Sequence, residues 1–233
     1  MRRVPSPPST ALVILFILAL APVANAAPED PFEPVNRVTF GFNKAVDSLL
    51  LKPVATTYDR LAPRFVRQGI KNVFNNLDDV RVSLNFLAQG EVDAAARNLG
   101  RFVVNSTVGV AGLVDVAGNQ LGVSKQRNDF GLTLAHYGVD SGPYLVLPFF
   151  GPSSVRDSIG LGFDSAVDPV VQANHVSTRN TAAGMEAVDF RASLLGLDAF
   201  VIGDEYLFVR ELYKQRREYA ESPEVSTLAF EAF

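Results

Sequence analysis

The feature that most constrains this chain is a repeated apolar period of 3.6 residues. From Phe65 it runs through Val66, Ile70, Val73, Phe74, Leu77, Val80, Leu84 and Leu87, and it stops at Gln89-Gly90. That spacing predicts a long helix with one apolar face. Val35, Val38, Phe42, Val46, Leu49 and Leu50 share a face in the same way. Two starts for that first helix are open: Asp30 capping with Pro31 at the first position, or Glu33 capping a helix opened by Pro34. Lys52-Pro53 is expected to end it, because the residue before proline avoids the helical region. A short helix then reaches Ala62 and stops at Pro63. Further helices are predicted over 91–107, 177–195 and 204–219, the last capped by Asp204. Ser154 and Asp157 form a capping pair for a short helix.

Between these elements the chain changes character. Residues 109–122 carry Gly109, Gly112, Gly118 and Gly122 and predict a loop with one turn of helix. Residues 123–152 are rich in glycine and proline and are expected to be irregular. Tyr144 to Leu147 is the best strand candidate, and no longer stretch alternates with a period of two. The predicted fold class is all-α: a single helical domain with a Gly/Pro-rich irregular middle segment.

Arg2 and Arg3 precede an unbroken apolar run from Ala11 to Ala21, and Ala24-Asn25-Ala26 offers a small-x-small cleavage site. This pattern predicts a secretory signal peptide over 1–26. The helical domain then covers 27–220, and 221–233 is a C-terminal tail. None of the 233 residues is cysteine. The sequence therefore offers no disulfide, no thiolate metal ligand, no thiol nucleophile and no thioether-linked lipid. An exported chain without disulfides is expected to draw its stability from its core.

Several chemistries find no support. A net charge of −4 argues against a nucleic-acid partner. The only histidines, His136 and His175, have no carboxylate at ligand spacing, so no metal site is expected. Ser141 is one place too late in Gly138-Val139-Asp140-Ser141-Gly142 for a nucleophile elbow. Asp78-Asp79 are neighbours on a helix, point about 100° apart and are expected on a solvated face. No catalytic residue and no cofactor are assigned.

Two features remain. Phe130, Phe149, Phe150 and Phe163 lie in or beside the irregular middle, where they either cover a helical core or line a lipid-facing surface. Arg60, Arg64, Arg67 and Lys71 form a basic stripe, which either pairs with acids on a solvated face or faces outward to meet phosphate groups.

Longer motifs add a resemblance. They are Asp30-Pro31-Phe32-Glu33-Pro34-Val35-Asn36-Arg37, Phe42-Asn43, Asn98 to Gly112, Asp115-Val116-Ala117 and, most sharply, Asp129 to Asp157. Together they resemble the MlaA (VacJ) family of Gram-negative outer-membrane phospholipid-transport proteins. The resemblance implies a ring-like helical protein in the inner leaflet of the outer membrane. It implies association with porin trimers and passage of phospholipids through a central amphipathic channel to a soluble periplasmic carrier of the Mla pathway. It implies no catalysed reaction. The family is usually lipoprotein, with cysteine directly after the signal peptide. Here Ala27 holds that place, so no acyl anchor is expected.

On these motifs the candidates for a lipid path or hinge are Asn43, Gly131, His136, Tyr137, Gly138, Gly142, Pro143 and Tyr144. Asp30, Pro31, Asn36, Arg37, Arg156 and Asp157 mark helix starts. Residues 131–142 mix Leu132, Leu134 and Val139 with polar neighbours. They form either a mobile amphipathic loop hinged at its glycines or a rigid connection. The competing function is a porin-holding envelope protein without direct lipid translocation. A lipid hydrolase is disfavoured by the missing elbow.

Overall fold

The computed structural model describes residues 30–222, so the predicted signal peptide and most of the tail lie outside the described residues. Phe32 onward forms one unit. Its elements are α1 (Glu33–Val46), a π-helical turn (Asp47–Leu51), α2 (Lys52–Leu61), α3 (Arg64–Ala88), α4 (Val92–Thr107) and α5 (Val116–Leu121). Then come α6 (Phe130–His136), strands β1 (Tyr144–Leu147) and β2 (Gly151–Ser154), and α7 (Val155–Val167). The described chain closes with α8 (Val176–Leu194), a 3-10 turn (Leu195–Phe200) and α9 (Glu205–Glu221). The structure is mostly helical, as predicted.

The local signals act largely as read. Gln89 caps the end of α3, and Gly90 follows with φ 79°. Ser154 accepts from the Asp157 amide, and Asp204 accepts from those of Tyr206 and Leu207. Three expectations change. Neither Asp30 nor Glu33 caps α1: Phe32 holds the cap position without a side-chain bond, and Pro34 sits in the first turn. Pro53 does not end the helix. A π turn bonds the Lys52 amide back to the Asp47 carbonyl, so the helix widens by one residue and runs on past the proline. The middle segment is not wholly irregular. Asp129 caps α6, and Tyr144 to Leu147 finds an antiparallel partner, with Tyr144 opposite Ser154 and Leu147 opposite Gly151.

The largest departure is in sidedness. The shared apolar face of α1 and the π turn points outward, with Val38 and Leu49 74% and 82% exposed, while the buried residue of α1 is Asn36. In α4, Leu99 and Val103 are exposed and Asn98, Arg101 and Asn105 are buried. Phe149, Phe150 and Phe163 are exposed as well, Phe130 stacking on Phe163 at 4.5 Å. Among the described residues, buried polar and charged side chains outnumber buried apolar ones.

The interior is therefore held by polar contacts. Asp79 and Arg101 are 0% and 2% exposed. Asp79 accepts from Lys125 at 2.7 Å and from Arg101 at 3.3 Å. Arg101 forks onto both oxygens of Asp115 at 3.1 and 3.2 Å. Asn105 donates to Asp115 at 2.9 Å and accepts from the Ala117 amide at 2.9 Å. These bonds fasten α5 and the 109–125 segment to α3 and α4. Asp78 is paired too: burial would raise it, but Arg81 and Lys125 beside it hold it below its ordinary value. The expected solvated face at Asp78-Asp79 is thus an internal ionic layer. Groups this deeply buried stay charged only when paired.

Replacing Arg101 removes the cation that Asp79 and Asp115 share, leaving Asp79 with Lys125 alone and Asp115 with its neutral donors. Arg101→Ala is expected to lower unfolding free energy by about 3–5 kcal/mol, a cost set by the uncompensated charge rather than by lost contact area. Urea unfolding in mild detergent measures it. A loss below about 1 kcal/mol contradicts the assignment of this layer as the stabilising interior.

Candidate functional site

The motif residues gather in two places. At the first, Asn36 and Asn43, two turns apart on α1, serve β1 and the turn that follows it. Asn36 donates to the Tyr144 carbonyl at 3.0 Å and accepts from the Val146 amide at 2.9 Å. Asn43 donates to the Leu147 carbonyl at 2.9 Å and accepts from the Phe149 amide at 2.8 Å. Each carboxamide offers a donor and an acceptor, as a neighbouring strand would. Tyr144 is buried against Tyr206 and Tyr213. Arg37 binds Glu33 and Asp204 and lies 4.4 Å from the Tyr206 ring centre. The start of α1 is thereby joined to the hairpin and to α9.

At the second place, α9 grips the start of α6 and of α7. Arg217 binds Asp129 at 2.6 Å and Asp157 at 2.8 Å, and Tyr213 donates to Asp157. Burial would raise Asp129, but Arg217 holds it below its ordinary value. Arg156 is buried against Asp157, Glu221 and the Val139 carbonyl. Gly131 sits inside this cluster: a Cβ there would meet Asp157 Oδ1 at 2.4 Å and Arg217 Nη2 at 2.8 Å. Gly160 of α7 has the Gly131 amide nitrogen 2.5 Å from its own would-be Cβ. The two glycines let α6 and α7 touch backbone to backbone.

These contacts reach into the 131–142 segment. Its first half is the helix α6, and Gly131 is a close-packing residue in it rather than a bend. The second half is tied down at three points. Val139 accepts from Arg156, Ser141 from the Arg156 amide at 3.1 Å, and Pro143 from the Val155 amide at 3.1 Å. Gly138 and Gly142 have φ of 80° and 66°, and nothing lies within 4 Å of a Cβ on Gly138. His136 and Tyr137 are exposed at the end of α6, with the Tyr137 hydroxyl bonded to the Ala88 carbonyl.

None of these residues lines either of two neighbouring cavities among the described residues. One, of about 220 Å³, lies among α3, α7 and α8 and is edged by Asp78, Arg81, Asp164, Asp168 and Glu186. The other, of about 540 Å³, lies between α3 and α8 and is edged by Ile70, Val73, Leu113, Ala182 and Met185. Phe74 lines both, so a cavity with five charged side chains in its wall adjoins a more open, largely apolar one edged also by Ser177, Thr178 and Thr181. The far half of α8 is pinned: Arg191 forks onto Asp47, and Asp189 accepts from Tyr58 at 2.9 Å. The near half walls the cavities, and no side chain along the whole of α8 is fully buried. Burial, the like charges of Asp168 and Asp78, and only weak relief from Arg81 raise Glu186 above its ordinary value.

Sequence reasoning missed Phe74, Arg81, Asp164, Ala182 and Glu186. Their apolar or charged spacing is legible, but which helix faces which is a tertiary fact. Among the described residues no helix is long and apolar enough to cross a membrane, and no cluster of three metal-ligating side chains occurs.

Apolar exterior, ionic interior and paired cavities define a helical protein whose surface suits contact with apolar matter. The sequence matches the MlaA lipoprotein family over residues 28–220, and the chain belongs to that family. It is 34% identical over 193 residues to an uncharacterized protein of Rickettsia bellii, covering 81% of this chain and 75% of that one. It is 34% identical over 196 residues to the intermembrane phospholipid transport system lipoprotein MlaA of Escherichia coli, covering 82% of this chain and 77% of that one. A chain solved in work on the structural basis for maintenance of bacterial outer membrane lipid asymmetry superposes with a TM-score of 0.72 at 32% identity. That alignment covers 83% of this chain and 99% of the other.

The two glycines of the 131–142 segment predict different outcomes. Gly131→Ala drives a methyl into the Asp157–Arg217 pair and is expected to cost more than about 2 kcal/mol. Gly138→Ala meets open space and costs only about 1 kcal/mol for its positive φ. Thermal unfolding of the two variants decides this, and equal shifts would contradict the packing role of Gly131.

Proposed function

We propose that this protein is a phospholipid-transport protein of the outer membrane. It removes mislocalised phospholipids from the outer leaflet by way of the α3–α8 cavities. The observation that carries the proposal is the adjoining pair of chambers, one charged and one apolar, joined at Phe74. A phospholipid needs both: a polar place for its head and an apolar wall for its chains. Family membership supports the same assignment, because relatives are named as lipoproteins of an intermembrane phospholipid transport system.

In this scheme the work is transfer, without a catalysed reaction. The protein sits on the periplasmic side of the outer membrane, held by its own apolar surface rather than an acyl chain. A porin trimer is its membrane partner, and a soluble periplasmic carrier of the Mla pathway receives the lipid. The near half of α8, which lines both cavities, is the wall that lets lipid pass. Of the motif residues, His136, Tyr137, Gly138 and Gly142 stand outside the cavities and meet lipid on the exposed surface at the end of α6. Asn43, Pro143 and Tyr144 hold the hairpin that supports it, and Gly131 supports it through packing.

The test places a charge in the apolar chamber. Ala182→Glu is made in cells lacking the native protein, and outer-leaflet phospholipid is measured per folded molecule. The expected result is phospholipid accumulation close to that of cells without the protein, at normal porin co-purification. Normal export with Ala182→Glu rejects the cavity route and favours the porin-holding alternative.

A further inference from the structure

The elbow between α2 and α3 carries a combination that water does not favour. Leu61 closes α2 and Phe65 opens α3, and they are 78% and 79% exposed on either side of Ala62-Pro63. Arg60, Arg64 and Lys71 stand around them with exposed side chains. Among the described residues Arg67 is the member of the basic stripe that is paired, with Asp59 across the elbow. Arg60, Arg64 and Lys71 make no ion pair or side-chain hydrogen bond among the described residues.

The first turn of α3 adds to the imbalance. It contains no acid and has no side-chain cap, so cations crowd the positive end of a 25-residue helix. Two of these features cost free energy in water, the exposed Leu and Phe and the cations at a helix N-terminus, while the unpaired cations are hydrated and available to an anion. A negatively charged layer resting on hydrocarbon relieves both and pairs the free cations. The cations meet phosphates while the leucine and phenylalanine enter the acyl region. The Arg67–Asp59 pair braces α2 against α3, so the two apolar side chains are presented together.

We propose that the Arg60–Lys71 elbow is a membrane anchor for anionic phospholipid surface, with Leu61 and Phe65 as the inserted wedge. The occupant is the headgroup layer of the bilayer. Charge complementarity selects it: three free cations flank an apolar pair without one free carboxylate among them. The sequence contains no cysteine for a thioether-linked lipid, so this elbow supplies by side chains what an acyl chain supplies elsewhere. The inference rests on the membrane location proposed above, and not on the cavities.

The experiment measures partitioning of the full mature chain onto two sets of vesicles. One set mixes phosphatidylethanolamine with phosphatidylglycerol; the other is phosphatidylcholine alone. Replacing Arg60, Arg64 and Lys71 together with Gln is expected to weaken binding to the anionic vesicles about a hundredfold at low salt. Binding to phosphatidylcholine changes less than about twofold, since the apolar wedge remains. Leu61→Ser with Phe65→Ser is expected to weaken binding to both sets about a hundredfold.

All five positions are exposed, so Tm stays at the wild-type value. Should the triple variant fail to fold, Arg64→Gln alone and a salt titration of the wild type carry the test. In that case wild-type binding to anionic vesicles must fall as salt rises. Three results overturn the proposal. One is undiminished binding of the Gln variant to anionic vesicles. Another is unchanged vesicle binding with lost porin co-purification, which makes the elbow a protein contact. The third is displacement from vesicles by millimolar inorganic phosphate with no effect of equal ionic strength. Loss of lipid export in Ala182→Glu with normal vesicle binding keeps the cavity reading and the anchor separable.

Discussion

The buried Arg101 guanidinium is the contact on which the rest of the fold depends. It joins Asp79 on α3 to Asp115 ahead of α5, while Lys125 closes on Asp79 from the following loop. Removing charges from water is costly, and a buried pair recovers that cost only with good geometry and further hydrogen bonds. Asn105 and the Gly118 amide supply those bonds on Asp115. A second ionic centre at Arg217 repeats the device, fixing the starts of α6 and α7 through Asp129 and Asp157. Between the two, Arg81 links Asp78 to Asp164, which also accepts from the Phe130 amide.

An interior held this way releases apolar side chains for the outside. A protein in bulk water cannot use that freedom, because exposed leucine and phenylalanine promote association. Next to lipid the same surface is matched to its surroundings, and helices present no unsatisfied backbone there. The cavities then follow from spacing. The far half of α8 is pinned by Arg191 and Asp189, the near half spans a gap beside α3, and Phe74 marks where charged and apolar walls meet.

Element positions were legible because caps and periods are local. Gln89-Gly90, Ser154 and Asp204 act where the sequence puts them. The sequence did not reveal which face of each helix points inward. Val38 and Asn36 are equally periodic, and the usual rule buries the valine; here the asparagine is buried. Pro53 misled for a related reason, since a π turn absorbs the missing donor without ending the helix. Asn36 and Asn43 were singled out by motif, but their strand-like pairing with β1 needed the fold. The cavity residues carried no motif at all. They are ordinary positions on α3, α7 and α8, made special by the helices they face.

The central claim is that acyl chains occupy the chamber between α3 and α8. The absence of native cysteine allows a single fluorescent label at Met185→Cys, on the wall of the apolar chamber. The protein is reconstituted with phospholipids brominated along their chains, and quenching is compared with that from aqueous iodide. Strong quenching by the brominated chains with little from iodide is the predicted result. Quenching by iodide alone would mean that the chamber is filled with water, and would contradict the account.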